Sequence, residues 1–312
     1  MTIQAQEQIF PLENPPTPQC HASTIARFEG TLYAAWFGGT KEGHADVGIW
    51  LSSRMDGAWS RPECMAAGGA PHWNPVLFSF GGKLFLYYKK GEKVPVWHTC
   101  CRVLEGGEWS PERVLIPGDI GGRGPVKNKP IVLKDGAICA PASLERKKKT
   151  VFAREWRAFA DLSRDGLEWR AQKPIPAGVN LIQPALWESD TGLHALLRSS
   201  AGAVYRSDSS DNGVTWRKAY ATSLPNNNSG IDAVYSNNRL FVIYNPVRKN
   251  WGPRTPLVIS MSEDDGASWS ETITLEDAPG EYSYPSIIAA DGALHAVYTH
   301  KRKGIVYAEV MI

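Results

Sequence analysis

The chain has 312 residues, 43% hydrophobic and 21% charged, with 34 Lys and Arg against 32 Asp and Glu. That composition excludes intrinsic disorder, collagen and coiled coil, and a chain this long buries enough surface to fold without disulfide staples. A net charge of +2 leaves no electrostatic footprint for nucleic acid, and no run reaches the roughly 18 apolar residues that span a bilayer.

The first 20 residues hold Gln4, Gln6, Glu7, Glu13 and four prolines, with no apolar core of a secretory signal. Five sparse cysteines fit reduced thiols better than a disulfide framework, so the expected compartment is the cytoplasm. Gln8-Ile9-Phe10-Pro11-Leu12 then reads as one extended segment ahead of the first repeat.

From there one pattern recurs: an apolar strand, a Gly or Asn/Asp turn, and a second apolar strand. Copies begin near Ser23-Thr24-Ile25, Pro75-Val76-Leu77, Pro130-Ile131-Val132, Pro184-Ala185-Leu186, Asp232-Ala233-Val234 and Pro285-Ser286-Ile287. Out of phase with it, Trp59, Trp109, Trp169, Trp216 and Trp269 each close a turn-like box. Two boxes are complete, Ser209 to Trp216 and Ser262 to Trp269; those at Trp59 and Trp169 are shortened, and the one at Trp109 keeps only Gly106-Gly107-Glu108. Asp-x-Gly between extended segments is hairpin chemistry: the carboxylate accepts local N–H groups and the Gly supplies positive φ. Calcium sites would need several more oxygen ligands, so the boxes read as structural. No segment sustains a 3.6-residue period, so helix is minor.

Two hairpins per roughly 50 residues make a four-stranded blade. The expected fold is therefore all-β, a six-bladed β-propeller with Asp-box turns and one domain over 1–312. The last blade has no box before the chain ends, so the N-terminal segment is its expected outer strand, which closes the ring and hides its edges.

In a propeller the entries of the inner strands converge on one mouth. Those entries hold Cys20-His21, His72-Trp73-Asn74, Lys127-Asn128-Lys129, Gln183, Ser229-Gly230-Ile231-Asp232 and Glu281-Tyr282-Ser283-Tyr284. Arg198 and Arg254 end and begin strands toward the same mouth, and two arginines there suggest a bidentate carboxylate clamp.

With these residues in view the chain resembles the sialidase superfamily of six-bladed propellers with Asp boxes, and more closely its bacterial BNR-repeat, predicted-neuraminidase group. The carrying segments are Cys20 to Ile25, Ala35 to Gly43, Lys127 to Pro130, Asn228 to Val234 and Gly280 to Pro285. The resemblance implies three arginines on a substrate carboxylate, a Tyr nucleophile paired with a Glu, and an Asp acid. Arg198 and Arg254 match the second and third arginines, Tyr284 or its neighbour Tyr282 the nucleophile, and Asp46 the acid, with Glu42 in reserve. The chain departs from the pattern twice: His21 stands where the first arginine is expected, and Gln183 where the Glu is expected. An amide cannot take the phenolic proton.

Three functions follow, in this order. The first is an exo-acting glycoside hydrolase for a terminal acidic sugar, either a sialic acid relative or a uronate. In it Asp46 or Glu42 is the acid, Tyr284 the nucleophile or stabiliser, and Glu281 or His21 the proton acceptor. The second is a polysaccharide lyase using His21, His72 or Tyr284 as base. The third is a non-catalytic carbohydrate-binding propeller. Gln183, Lys129, His72, Asn74 and Asp232 complete the expected binding set, the expected partner is an acidic oligosaccharide, and no cofactor or metal is called for. His98 and Cys100 lack further ligands at suitable spacing, and Arg146-Lys147-Lys148-Lys149 reads as a solvated loop tip.

Overall fold

The computed structural model describes residues 1–119, 121–147 and 154–312. Their strands form six antiparallel sheets arranged as the blades of a propeller. The inner strands are Gln19–Phe28, His72–Phe80, Ile131–Val132, Leu181–Ser189, Asp232–Ser236 and Tyr282–Ala290 for blades 1 to 6. Each pairs with the next strand in sequence through a short hairpin. Among the described residues there is no α-helix, and the single 3-10 turn is Val94–Val96. Among the described residues no helix is long and apolar enough to cross a membrane. Arg146 and Lys147 end a strand of blade 3, Ile138–Lys147, while Lys148 and Lys149 lie outside the described residues.

The alternation of apolar side chains on each strand builds a core between every two neighbouring blades. Phe37, Ile49, Leu86 and Tyr88 join blades 1 and 2. Phe85, Tyr87 and Ile138 join blades 2 and 3, and Leu133, Ala160, Leu186 and Leu197 join 3 and 4. Trp187, Leu196, Val242 and Tyr244 join 4 and 5, and Ile259, Tyr282, Ile287 and Tyr298 join 5 and 6.

The turns carry the expected chemistry in three blades and a different one in two. Asp211 Oδ1 accepts from Thr215 N at 2.8 Å, Gly213 N donates to Ser209 Oγ at 2.9 Å, and the Trp216 indole donates to Gly213 O at 3.2 Å. Asp264 and Asp165 accept from the backbone of their own turns in the same way. The copies at Trp59 and Trp109 instead make two-residue hairpins with both central residues left-handed: Asp56 and Gly57 at φ 49 and 81, Gly106 and Gly107 at φ 59 and 85. Such two-residue turns match the strand twist without a carboxylate cap.

Blade 6 is closed by the N-terminal strand Thr2–Gln8, which pairs antiparallel with Gly304–Met311, so the closing strand lies ahead of the expected Gln8–Leu12 and shares only Gln8 with it. Ile9 and Phe10 continue into the seam between blades 6 and 1, where Phe10 meets Trp36 at a ring separation of 5.2 Å. Phe10 is 3% exposed, so truncating it empties the space that holds the strap. Phe10→Ala should lower the unfolding free energy by about 3–5 kcal/mol in urea denaturation. A loss under about 1 kcal/mol would show that the seam does not depend on this residue.

Candidate active site

In every blade the chain turns left-handed at one residue, within the inner strand of blades 1, 2, 4 and 6 and four residues ahead of it in blades 3 and 5. These residues are Ala22, Asn74, Lys127, Gln183, Asn228 and Tyr284, with φ between 42 and 65. In blades 1, 2, 4 and 6 the strand register shifts at the same place. A non-glycine residue in this region is uncommon, and its side chain leaves the alternation of the strand. The six breaks place a cluster of polar side chains at one end of the axis.

Tyr284 is at the centre of that cluster. Arg198 Nη1 donates to its hydroxyl at 2.7 Å. The Arg254 guanidinium lies 5.5 Å from its ring centre, and the His21 ring lies 4.4 Å away at 49°. Arg198 is itself held, with Nε donating to Asn228 Oδ1 at 2.8 Å and Nη1 to Gln183 Oε1 at 3.1 Å. The indoles of Trp156 and Trp251 flank it at 5.6 and 5.7 Å. Gln183 thus serves as an acceptor that orients Arg198, a task an amide performs well.

A second cluster adjoins the first. Glu281 accepts from Arg254 Nη1 at 2.6 Å and from Arg302 Nε at 3.0 Å. Arg302 Nη1 reaches on to Glu42 at 2.5 Å. Burial works against the Glu281 charge, but Arg254 and Arg302 more than offset it and hold the carboxyl below its usual range. His21 is 2% exposed, and its Nδ1 lies 3.0 Å from Thr299 Oγ1. Burial, then the guanidiniums of Arg302, Arg254 and Arg198, hold the imidazole well below its ordinary range, so it is neutral.

Several expected members of the site lie elsewhere. Tyr282 is 1% exposed and packs in the core of blades 5 and 6, its ring against His300; strand alternation carries it away from the axis while the break at Tyr284 brings the latter in. His72 is fully enclosed against Tyr88, with Nδ1 on Val47 O at 3.0 Å. Lys129 and Asp232 satisfy each other across the axis at 2.8 Å, and Asp232 also accepts from Ile287 N at 2.9 Å. Asp46 caps its own exposed loop, taking bonds from Thr40 Oγ1 at 2.5 Å and Thr40 N at 2.7 Å that lower its pKa. Glu42 on the same loop is the carboxylate that meets the arginines. Asn74 lies at the blade 2 break, 7% exposed.

Sequence reasoning missed Arg302, and it missed that Lys127 rather than Lys129 is the lysine next to Tyr284. Arg302 sits in the blade 6 hairpin, and its signal is register: Tyr282 pairs with His300, which sets the following turn beside Glu281. Among the described residues no three His, Cys, Asp or Glu side chains gather as metal ligands.

A six-bladed propeller with arginines gathered around an axial tyrosine is a sialidase-like architecture. Residues 30–296 match the model of the BNR repeat-like domain, and the chain belongs to that family. Solved structures agree on the fold. A protein of unknown function from Dyadobacter fermentans superposes with a TM-score of 0.79 at 14% identity, over 99% of this chain and 98% of that one. The Hadza microbial sialidase Hz136 gives 0.80 at 15% identity, over 98% of this chain and 68% of its own. Trypanosoma rangeli sialidase gives 0.74 at 14% identity, over 98% of this chain, which spans 59% of that protein. No curated protein matches the sequence.

The neutrality of His21 has a measurable consequence. In the unfolded chain an imidazole takes its proton near 6.5, while the folded one stays neutral. His21 therefore costs no stability above that value and costs progressively more as pH falls below it. Between pH 7 and 5 the wild type should lose more stability than His21→Gln, by at most about 2 kcal/mol, in urea titrations at each pH. Parallel curves would mean that the imidazole charges in the folded state.

Proposed function

We propose that this protein is a sialidase-like glycosidase for a terminal acidic sugar, with Arg198, Arg254 and Arg302 receiving the sugar carboxylate and Tyr284 acting at the anomeric carbon. The observation that carries this is the Arg198–Tyr284 hydrogen bond of 2.7 Å, within a cluster whose carboxylates are already shared among arginines. The guanidinium fixes the phenolic oxygen in place, and positive charge around the axis favours an anionic ligand.

An entering carboxylate competes for the donors that Glu281 and Glu42 now hold on Arg254 and Arg302. Glu42, released from Arg302 and protonated from solvent, is then the loop acid that passes that proton to the leaving oxygen. Tyr284 attacks the anomeric carbon while its proton passes to neutral His21, and water completes the hydrolysis by the reverse transfers. Gln183 orients Arg198 and moves no proton. Five free cysteines support a reducing compartment, the cytoplasm, for this activity.

The neutral His21 against Tyr284 also favours a second reading, elimination from a uronate. There Arg198 neutralises the carboxylate, His21 takes the proton beside it, and Tyr284 protonates the leaving oxygen.

One experiment separates these readings. Purified protein is incubated with 4-methylumbelliferyl and oligosaccharide glycosides of sialic acid and of glucuronate, with product mass and near-ultraviolet absorbance followed together. The expected result is product with one water added and no new absorbance; product without water and with rising absorbance makes the protein a lyase. No release, with binding retained, leaves a carbohydrate-binding propeller.

On an active substrate, Tyr284→Phe and Glu42→Gln should each lower kcat by about 10²–10⁴-fold. Arg302→Met should raise KM roughly tenfold to a hundredfold, the worth of one charge-assisted hydrogen bond. An unchanged KM in Arg302→Met would remove that residue from the carboxylate site.

A further inference from the structure

Lys127 is a lysine with no access to water, 2% exposed, at the centre of the propeller. It leaves blade 3 from a left-handed residue, and its ammonium crosses to the opposite side of the ring. There Nζ donates to Ile231 O of blade 5 at 2.7 Å and to Pro285 O of blade 6. Pro285 is the residue after Tyr284. The Lys127 stem runs close to the Tyr284 ring: a Cβ on Gly230 would sit 3.0 Å from Lys127 Cε and 3.4 Å from Tyr284 Cγ, crowding both.

Tyr284 needs such an anchor. At φ 50 it occupies a region that costs a bulky residue roughly 1–3 kcal/mol and persists only where the surroundings over-determine it. Pro285 has no N–H to give, so this stretch is fixed through its carbonyls. The Tyr284 carbonyl accepts from the Ser23 hydroxyl at 3.5 Å, and the next carbonyl takes the Lys127 ammonium.

Filling the axis does not explain a lysine. Methionine would fill the same volume without a desolvation penalty, and burial here drags the lysine down to about 7 against the pull of Asp232. Nor is Lys127 needed merely to tie blades 3 and 5, because Lys129 already does so through Asp232 and Ala233 O. What Lys127 alone among these adds is the bond to Pro285.

We propose that Lys127 is the positioning residue of Tyr284, its ammonium pinning the Tyr284–Pro285 backbone from across the axis so that the phenol stays on Arg198. The placement stands independently of the activity, and only its effect on turnover rests on the function proposed above.

The test uses full-length protein labelled with 13C in its tyrosine rings, with the Tyr284 signal assigned by Tyr284→Phe. In Lys127→Met the Tyr284 signal should move and broaden, while those of Tyr87 and Tyr88 in the blade 2 core stay in place. Lys129→Met removes the other cross-axis lysine and should lower Tm without moving the Tyr284 signal. Should Lys127→Met fail to fold, Lys127→Gln, which keeps one donor site, carries the same comparison. An unmoved Tyr284 signal overturns the proposal, as does an equal displacement in Lys129→Met. On a substrate that wild type turns over, Lys127→Met should lower kcat roughly tenfold to a hundredfold with KM little changed. Absence of turnover in the wild type would sink the glycosidase reading and leave the spectroscopic result standing.

Discussion

The site depends on a backbone constraint: in each blade the chain gives up its extended course at one residue, within the inner strand of blades 1, 2, 4 and 6 and just ahead of it in blades 3 and 5. An unbroken strand would alternate its side chains between two blade faces and send none along the axis. The left-handed break redirects one side chain per blade, and four of the six are Asn, Lys, Gln and Asn. Three of the breaks, at Asn74, Gln183 and Tyr284, are followed directly by proline, which donates nothing to a ladder. The orphaned carbonyls are then served by side chains from other blades. Asn128 donates to Gln183 O and Pro184 O, and Lys127 to Pro285 O. Strain at the breaks and polar satisfaction across the axis are two sides of one arrangement, which is why the inner wall is rich in buried amides and lysines while the blade interfaces are apolar.

The electrostatics follow from that crowding. Arg198, Arg254, Arg302 and Lys127 act together on one end of the ring, and Glu281 and Glu42 only partly balance them. The effect is legible in a group that carries no charge: His21 is kept neutral by burial and by its cationic neighbours. Glu281 supplies the counter-charge that pairs the guanidiniums of Arg254 and Arg302.

Much of the fold was legible in the sequence because periodic signals report it. The hydrophobic alternation and the spaced turn boxes locate all six blades, and the boxless last blade points to the N-terminal strand as its partner. Inside the site the signals are local and weaker. Tyr282 and Tyr284 differ only by backbone conformation, and no composition rule says that Tyr284 is the left-handed one. Lys127 and Lys129 are equally two residues apart, yet one supports the tyrosine backbone and the other pairs with Asp232. Asp46 and Glu42 share a loop, and only the position of Arg302 decides which faces the arginines. Arg302 itself sits in a plain Lys-Arg-Lys turn, meaningful only once the hairpin register sets it beside Glu281.

The strap that completes blade 6 also sets the order of assembly. Within each blade, strands meet their sequence neighbours across hairpins, contacts of low loop-closure cost. Thr2 pairs with Met311, a contact spanning nearly the whole chain, and it forms only when the blades between have brought the two strands together. Local hairpins are therefore expected to form first and ring closure last. Until then Gly304–Met311 presents an unpaired edge, and a second molecule's Thr2–Gln8 offers the same backbone pattern as the chain's own. Refolding at high protein concentration thus sets intramolecular closure against exchange of this strand between molecules, so yield should fall as concentration rises and the competing product should be a strand-swapped dimer.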